Sequence, residues 1–362
     1  MFKSIRFLPV LAALLVMAVP GVADAATSGS SLMAPTSFWN TPLRTTSTLN
    51  ATDTSSASAY LAKEAVRSAP YVNTTKYTAA AYTVPATQPL VAVRLRMPSG
   101  GATPPYAKAL EAMLRTGLPI PPGYTPQGDT DDTGAFWMPA WVGTMSDGTV
   151  LHGRIYEAWR LRPNTDPATP TIKWEAQWGG RMSGVNESAG HYVDRYTTYR
   201  DRTYPALPTD PVKANLFEEK GWGSMATSMP IYPSMIKAAD VQAGVIHNAI
   251  GLTVPLPTAG WRWPAMRSDG SSSSTSPIQE GMRLRLPAGY VAPASANSFV
   301  KLMIAAARDY GFVVTDKAAN MAIRAEPAVR TMLPTAPYAA LNGFPWSALQ
   351  VLATGSDTNP NP

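Results

Sequence analysis

Thirty-five prolines are spread through this chain of 362 residues, roughly twice the usual ~5%. Each one fixes φ and removes a backbone donor, so long uninterrupted helices are excluded and a helical bundle with them. What remains is a fold of strands, turns and short helices. The apolar share is 45% and the charged share 15%. The chain is therefore not disordered by composition, and it is long enough to bury a large core. There is no cysteine. That excludes a disulfide scaffold, a thiolate zinc site, a thiol nucleophile and an iron–sulfur cluster. Such a chain is held by packing, and 10 Trp and 16 Met supply large buried area.

Residues 1–25 read as a signal peptide. Lys3 and Arg6 give the positive start, 7–22 is apolar, and Ala23-Asp24-Ala25 is a small-x-small cleavage pattern. The apolar run is short for a membrane span and no stop-transfer charges follow. A secreted, extracellular protein is expected, with no membrane contact after cleavage. Removing Lys3, Arg6 and Asp24 from 30 basic and 24 acidic residues leaves 28 and 23, a net of +5. That suits a polysaccharide or cell-wall glycan partner, acidic ones slightly more, and is too weak to argue for nucleic acid. No oligomeric state follows from the sequence.

The expected organisation is a flexible lead over 26–36, a single β-rich domain over 37–355 and a disordered tail over 356–362. Helices are predicted over 55–68, 106–115, 235–242 and 297–310. Strands are predicted over 77–84, 89–97, 135–142, 149–161, 171–178, 245–254 and 282–286, a hairpin over 312–316 and 321–325, and a closing strand over 346–352. The fold class is mainly β (α+β), with a β-sandwich or jelly-roll-like core and peripheral short helices. The stretch 179–222 shows no sustained period and interleaves rings with charges, including Tyr192 and Tyr196.

Three positions are candidates for chemistry. Glu157 falls on the apolar face of its strand, between Ile155 and Trp159. Desolvation there raises a carboxyl pKa and suits a general acid; a buried, paired structural Glu is the alternative. Asp132, in the acidic turn before the strand at 135, could supply the second carboxylate of a glycosidase pair or an oxygen ligand to Ca²⁺, but the run lacks EF-hand spacing. His247, on the face of its strand with Val245, Ala249 and Gly251, is a candidate base or a satisfied core histidine. His152, His191 and His247 are the only histidines, and no ligand spacing links them, so neither a metal site nor a cofactor is expected. Tyr192, Tyr196, Trp178, Trp263 and Arg267 are candidate substrate-binding residues. Rings stack on sugar faces, and the run 261–267 is dense in rings and guanidinium. The nucleophile elbow, the P-loop and the dinucleotide fingerprint are absent.

Several stretches also match a known pattern: Ser37-Phe38-Trp39-Asn40-Thr41-Pro42, Tyr156-Glu157-Ala158-Trp159, Trp178-Gly179-Gly180 and Ala226-Thr227-Ser228-Met229-Pro230. Next in order come Gly244-Val245-Ile246-His247-Asn248-Ala249-Ile250, Trp263-Pro264-Ala265, Arg267-Ser268-Asp269-Gly270 and Glu280-Gly281-Met282-Arg283, and last Tyr310-Gly311-Phe312-Val313-Val314-Thr315-Asp316. In these the chain resembles a widespread, largely uncharacterised family of secreted bacterial proteins of actinobacterial type. The resemblance implies export and one shared fold, and implies no activity. In relatives the acidic turn often continues into a His, whereas here Asp132 is followed by Thr133 and Gly134.

The function expected from the residues is a secreted carbohydrate-active enzyme that cleaves an extracellular or cell-wall polysaccharide by carboxylate acid/base hydrolysis. A polysaccharide lyase is the second form of that expectation. The alternative is a non-catalytic glycan- or wall-binding protein with an aromatic cleft.

Overall fold

The computed structural model describes residues 32–43, 47–97, 102–103, 107–127, 133–144, 148–192, 198–199, 202–203, 220–221 and 223–353. The expected signal segment and tail lie outside the described residues. The end of the expected lead is packed rather than free, because Leu32 and Met33 are buried.

The strands are β1 (Tyr71–Asn73), β2 (Ala79–Thr83), β3 (Val93–Leu95), β4 (Thr133–Thr144), β5 (Val150–Trp159), β6 (Arg162–Pro163), β7 (Trp174–Ala176), β8 (Trp178–Ser183), β9 (Thr198–Tyr199), β10 (Arg202–Thr203), β11 (Lys220–Gly221), β12 (Ile250–Val254), β13 (Arg283–Arg285), β14 (Phe312–Lys317), β15 (Ala322–Arg324) and β16 (Gln350–Val351). The helices are α1 (Ala51–Arg67), α2 (Lys108–Thr116), α3 (Ala238–Ala243) and α4 (Ser298–Asp309). The fold is mainly β with short helices, an α+β arrangement of mixed sheets, and the described strands form no closed barrel.

One sheet has six strands in the order β1-β15-β12-β14-β13-β16, and a second has five in the order β11-β8-β5-β4-β2. Within them β1/β15, β12/β14 and β2/β4 run parallel. A three-stranded sheet, β3-β7-β6, lies apart.

Three clusters of buried side chains explain the layering. The outer one packs α1 and α4 on one face of the six-stranded sheet, through Leu61, Phe299, Met303, Ile250, Leu252 and Phe312. The middle one joins the inner faces of the two larger sheets. Trp137, Ile155 and Met182 come from one and Val313 from the other, with Met225, Met229 and Tyr232 packed among them. The third packs α2 on the far face of the five-stranded sheet, through Leu110, Leu114, Phe136 and Tyr156. Alternation along β5 is what divides Ile155 from Tyr156.

Caps set the helix limits. The Asn50 side chain accepts from Asp53 N at 3.0 Å, so α1 starts earlier than the expected 55. Asn297 caps α4 by accepting from Val300 N at 2.8 Å, close to the predicted start. Among the described residues no helix is long and apolar enough to cross a membrane.

Two strand expectations are corrected. The predicted strand over 245–254 begins only at Ile250. Upstream of it, Ala249 N donates at 2.7 Å to Trp39 O rather than to a sheet neighbour. The predicted hairpin over 312–325 is opened by β12, which inserts between β14 and β15 and pairs with both. Its five residues are all buried, as a central strand requires. Ile250→Val, which removes one methylene from this enclosed position, is expected to lower stability by about 1 kcal/mol, read as a shift of the urea midpoint without a change in slope.

Candidate functional site

Glu157 stands on β5 opposite Ala135 and Gly180 and points into the middle cluster, as the strand alternation predicts. Its side chain is enclosed, with 0% exposure. Oε1 accepts from Ile231 N at 2.7 Å and Tyr232 N at 3.3 Å, and Oε2 from Ser224 N at 3.1 Å. Burial pushes its pKa up to about 7, and these backbone donors pull against that rise. Among the described residues the carboxyl is ion-paired with no arginine. It ties the backbone of 224–232 to the sheet. Gly223 makes this possible: its φ is +78°, and a Cβ there would lie 2.3 Å from the Tyr192 ring and 3.1 Å from Glu157 Oε2.

Tyr192 is brought to Glu157 in this way, but its ring is enclosed as well. Its N–H donates to Ser228 O at 2.7 Å. Asp132 and Tyr196 lie outside the described residues. His247 is exposed, in the loop before β12, edge-on to the Tyr310 ring at 6.3 Å. None of the hydrogen bonds to Glu157 comes from it. Trp178 is half-buried at the start of β8. Trp263 is half-buried and packs edge-on against Phe38 at 5.4 Å, and Arg267 is buried.

A second group of acids gathers beside the run 261–267. The backbone at Trp261 bridges to Glu280, and Arg262 N donates to Glu280 O at 2.8 Å. The chain then turns so that Asp269 N donates to Glu280 Oε2 at 3.1 Å. β14 delivers Asp316 to the same place. Oxygens of Asp269, Glu280 and Asp316 lie within 4.8 Å of one another. Arg324 reaches across β12 to Asp316 Oδ2 at 2.9 Å, and Lys317 Nζ lies 3.6 Å from Asp269 Oδ2.

The three carboxyls differ in access. The Asp269 side chain keeps 45% of its surface and the Asp316 side chain 19%, while Glu280 keeps none. Burial raises the Asp316 pKa to about 6, with Arg324 opposing and the Asp269 charge assisting. Burial also holds Glu280 well above the usual carboxylate range, and the charges of Asp269 and Asp316 add to the shift. Glu280 Oε1 is buried and has no hydrogen-bond partner among the described residues.

Sequence reading missed this group because its members are single acids on separate stretches with no spacing rule between them. All three nevertheless fall inside stretches quoted above for the family resemblance, 267–270, 280–283 and 310–316. The run 261–267, read from sequence as a cleft rim, leads directly into Asp269.

The chain matches no family model, no curated protein and no solved structure.

Proposed function

We propose that the protein is a secreted carbohydrate-active enzyme that hydrolyses an extracellular polysaccharide. Its working carboxylates on this reading are Asp269 and Asp316, with Glu280 behind them, rather than Glu157 with Asp132 or His247. The observation that supports this is the convergence of three carboxyls beside the backbone of Trp261 and Arg262, in the run that also carries Trp263 and Arg267. Two of those carboxyls reach solvent, whereas Glu157 is enclosed.

The close spacing bears on the reaction. Inverting hydrolases hold their carboxyls roughly 6.5–9.5 Å apart to admit a water, and retaining ones roughly 5–5.5 Å. Oxygens within 4.8 Å leave no room for that water. Asp269, the more exposed, then attacks as nucleophile while Asp316 protonates the leaving oxygen, and water, giving its proton back to Asp316, breaks the bond between the sugar and Asp269. Cleavage with retention is expected.

The test is product release from a panel of neutral and acidic polysaccharides, read as reducing ends and as the absorbance of unsaturated uronates. Asp316→Asn is expected to lose about 10²-fold or more in rate, as removal of a positioned acid does, while folded Glu157→Gln keeps its activity. Unsaturated ends would replace hydrolysis by elimination. Wild-type rates in Asp316→Asn would sink the assignment. Retention on a glycan without release would favour a binding protein, a reading supported by the full enclosure of Glu280.

A further inference from the structure

We infer that Asp269, Glu280 and Asp316 form a binding site for a hard divalent cation, calcium before magnesium. The inference goes beyond the proposed hydrolysis, and its readout needs no sugar.

Geometry carries the first step. Calcium takes oxygen ligands at roughly 2.3–2.6 Å, so two oxygens on one ion are at most about 5 Å apart. The three carboxylates meet that limit, with oxygens within 4.8 Å of one another.

The second step is Glu280 itself. It is 0% exposed, its Oε2 accepts the Asp269 N–H, and its Oε1 is buried with no hydrogen-bond partner among the described residues. A buried carboxylate oxygen without a partner is rare in folded proteins and marks a missing donor or ion. Arg324 answers Asp316 and Lys317 answers Asp269, but no Lys, Arg or His among the described residues pairs with Glu280. Three carboxyls thus face two cationic groups, and the one without a cationic partner among the described residues is the one that water does not reach.

The donor set selects the ion. All three ligands are carboxylate oxygens, with no imidazole or thiolate among them, which disfavours zinc and copper. They come from a loop, a bridged residue and a strand, and they differ widely in exposure. Calcium accepts such irregular sets of six to eight oxygens, whereas magnesium demands a near-ideal octahedron. The open side at Asp269 leaves room for waters to complete the shell. A cation held there occupies oxygens that the proposed hydrolysis uses, so calcium is also expected to slow any glycan release.

The experiment is calorimetric titration of CaCl₂ and of MgCl₂ into the full chain after chelator treatment and desalting, with the thermal midpoint followed in parallel. One calcium per chain is expected, with Kd between about 10⁻⁵ and 10⁻³ M, the range of sensor and extracellular sites. The midpoint should rise with calcium concentration. Magnesium should bind at least about tenfold more weakly. Glu280→Gln and, separately, Asp269→Asn should each weaken calcium at least about tenfold, since each removes one anionic ligand. Asp269 is largely exposed, so its variant decides the matter if Glu280→Gln does not fold. No heat and no midpoint shift at ~10 mM calcium, well above the weakest extracellular sites, would overturn the site. Wild-type affinity in folded Asp269→Asn would do the same, and equal binding of magnesium would overturn the choice of calcium. No glycan release by the calcium-free protein, with calcium binding as expected, would count against the hydrolase alone.

Discussion

Gly281→Ala is expected to leave no stably folded protein. The residue sits at φ +82°, where a non-glycine residue costs about 1–2 kcal/mol before any contact is considered. The contact is the larger effect. A Cβ at this position would stand 1.7 Å from Arg262 O and 2.8 Å from Ala265 Cβ. The first obstacle is backbone, so it does not yield by a rotamer change. Relief requires the segment around Arg262 to move away from Glu280. That breaks the Arg262 N–H bond to Glu280 O at 2.8 Å and the bridge at Trp261. Against a total stability of about 5–15 kcal/mol, such a displacement is decisive. Soluble yield and the urea midpoint are the readouts. Gly289→Ala, with nothing within 4 Å of the added methyl, is the neutral control. A midpoint for Gly281→Ala close to that of the control would show that the 261–267 run is not locked to Glu280 as described.

The second large effect is a pH dependence that originates at Glu157. Its folded pKa is raised from 4.5 to about 7 by burial, against three backbone donors that favour the ionised form. Between those values the native carboxyl keeps a proton that the unfolded chain has released. Stability is therefore full below about 4.5 and is lost as pH rises through about 7. The loss is on the order of 3 kcal/mol at about 1.4 kcal/mol per unit. Glu157→Gln does not titrate, and its urea midpoint should fall less steeply across this window. Its amide oxygen still accepts from Ile231 and Tyr232, but the NH₂ group meets the Ser224 N–H, which costs about 1–3 kcal/mol at low pH. Asp316 and Asp240 are raised as well and add slope of the same sign, so the difference between wild type and variant isolates Glu157. Parallel pH profiles in the two proteins would refute the account.

Local signals were the legible ones. The alternation of β5 placed Glu157 on the right face and foretold the upward push on its pKa, and the helix predicted over 297–310 coincides with α4. Burial alone did not tell function from structure there. A desolvated carboxylate beside Ile155 serves equally as an acid or as an anchor, and the difference lies in the three N–H groups supplied by 224–232. The stretch before Ile250 has the apolar pattern of a strand, but its backbone is claimed by Trp39, a contact no window around His247 reveals. The split between β14 and β15 was equally illegible, because only tertiary pairing inserts β12 between adjacent segments. The acid group failed for the same reason: each member obeys its own local rule, and only the folding of three stretches onto one spot makes them a site.

The six-stranded sheet has a temporal consequence for the chain that makes it. β1 has β15 as its neighbour, Leu49 bridges to Leu352, and β12 waits for both β14 and β15. A nascent polypeptide emerging from its N-terminus can complete none of these pairings until it has been made through β14, and the β1 pairing not until β15 follows. Because loop-closure entropy precedes the reward of such distant contacts, folding of this sheet should be slow and concerted, and it should begin only after the span from β1 to β15 has been made.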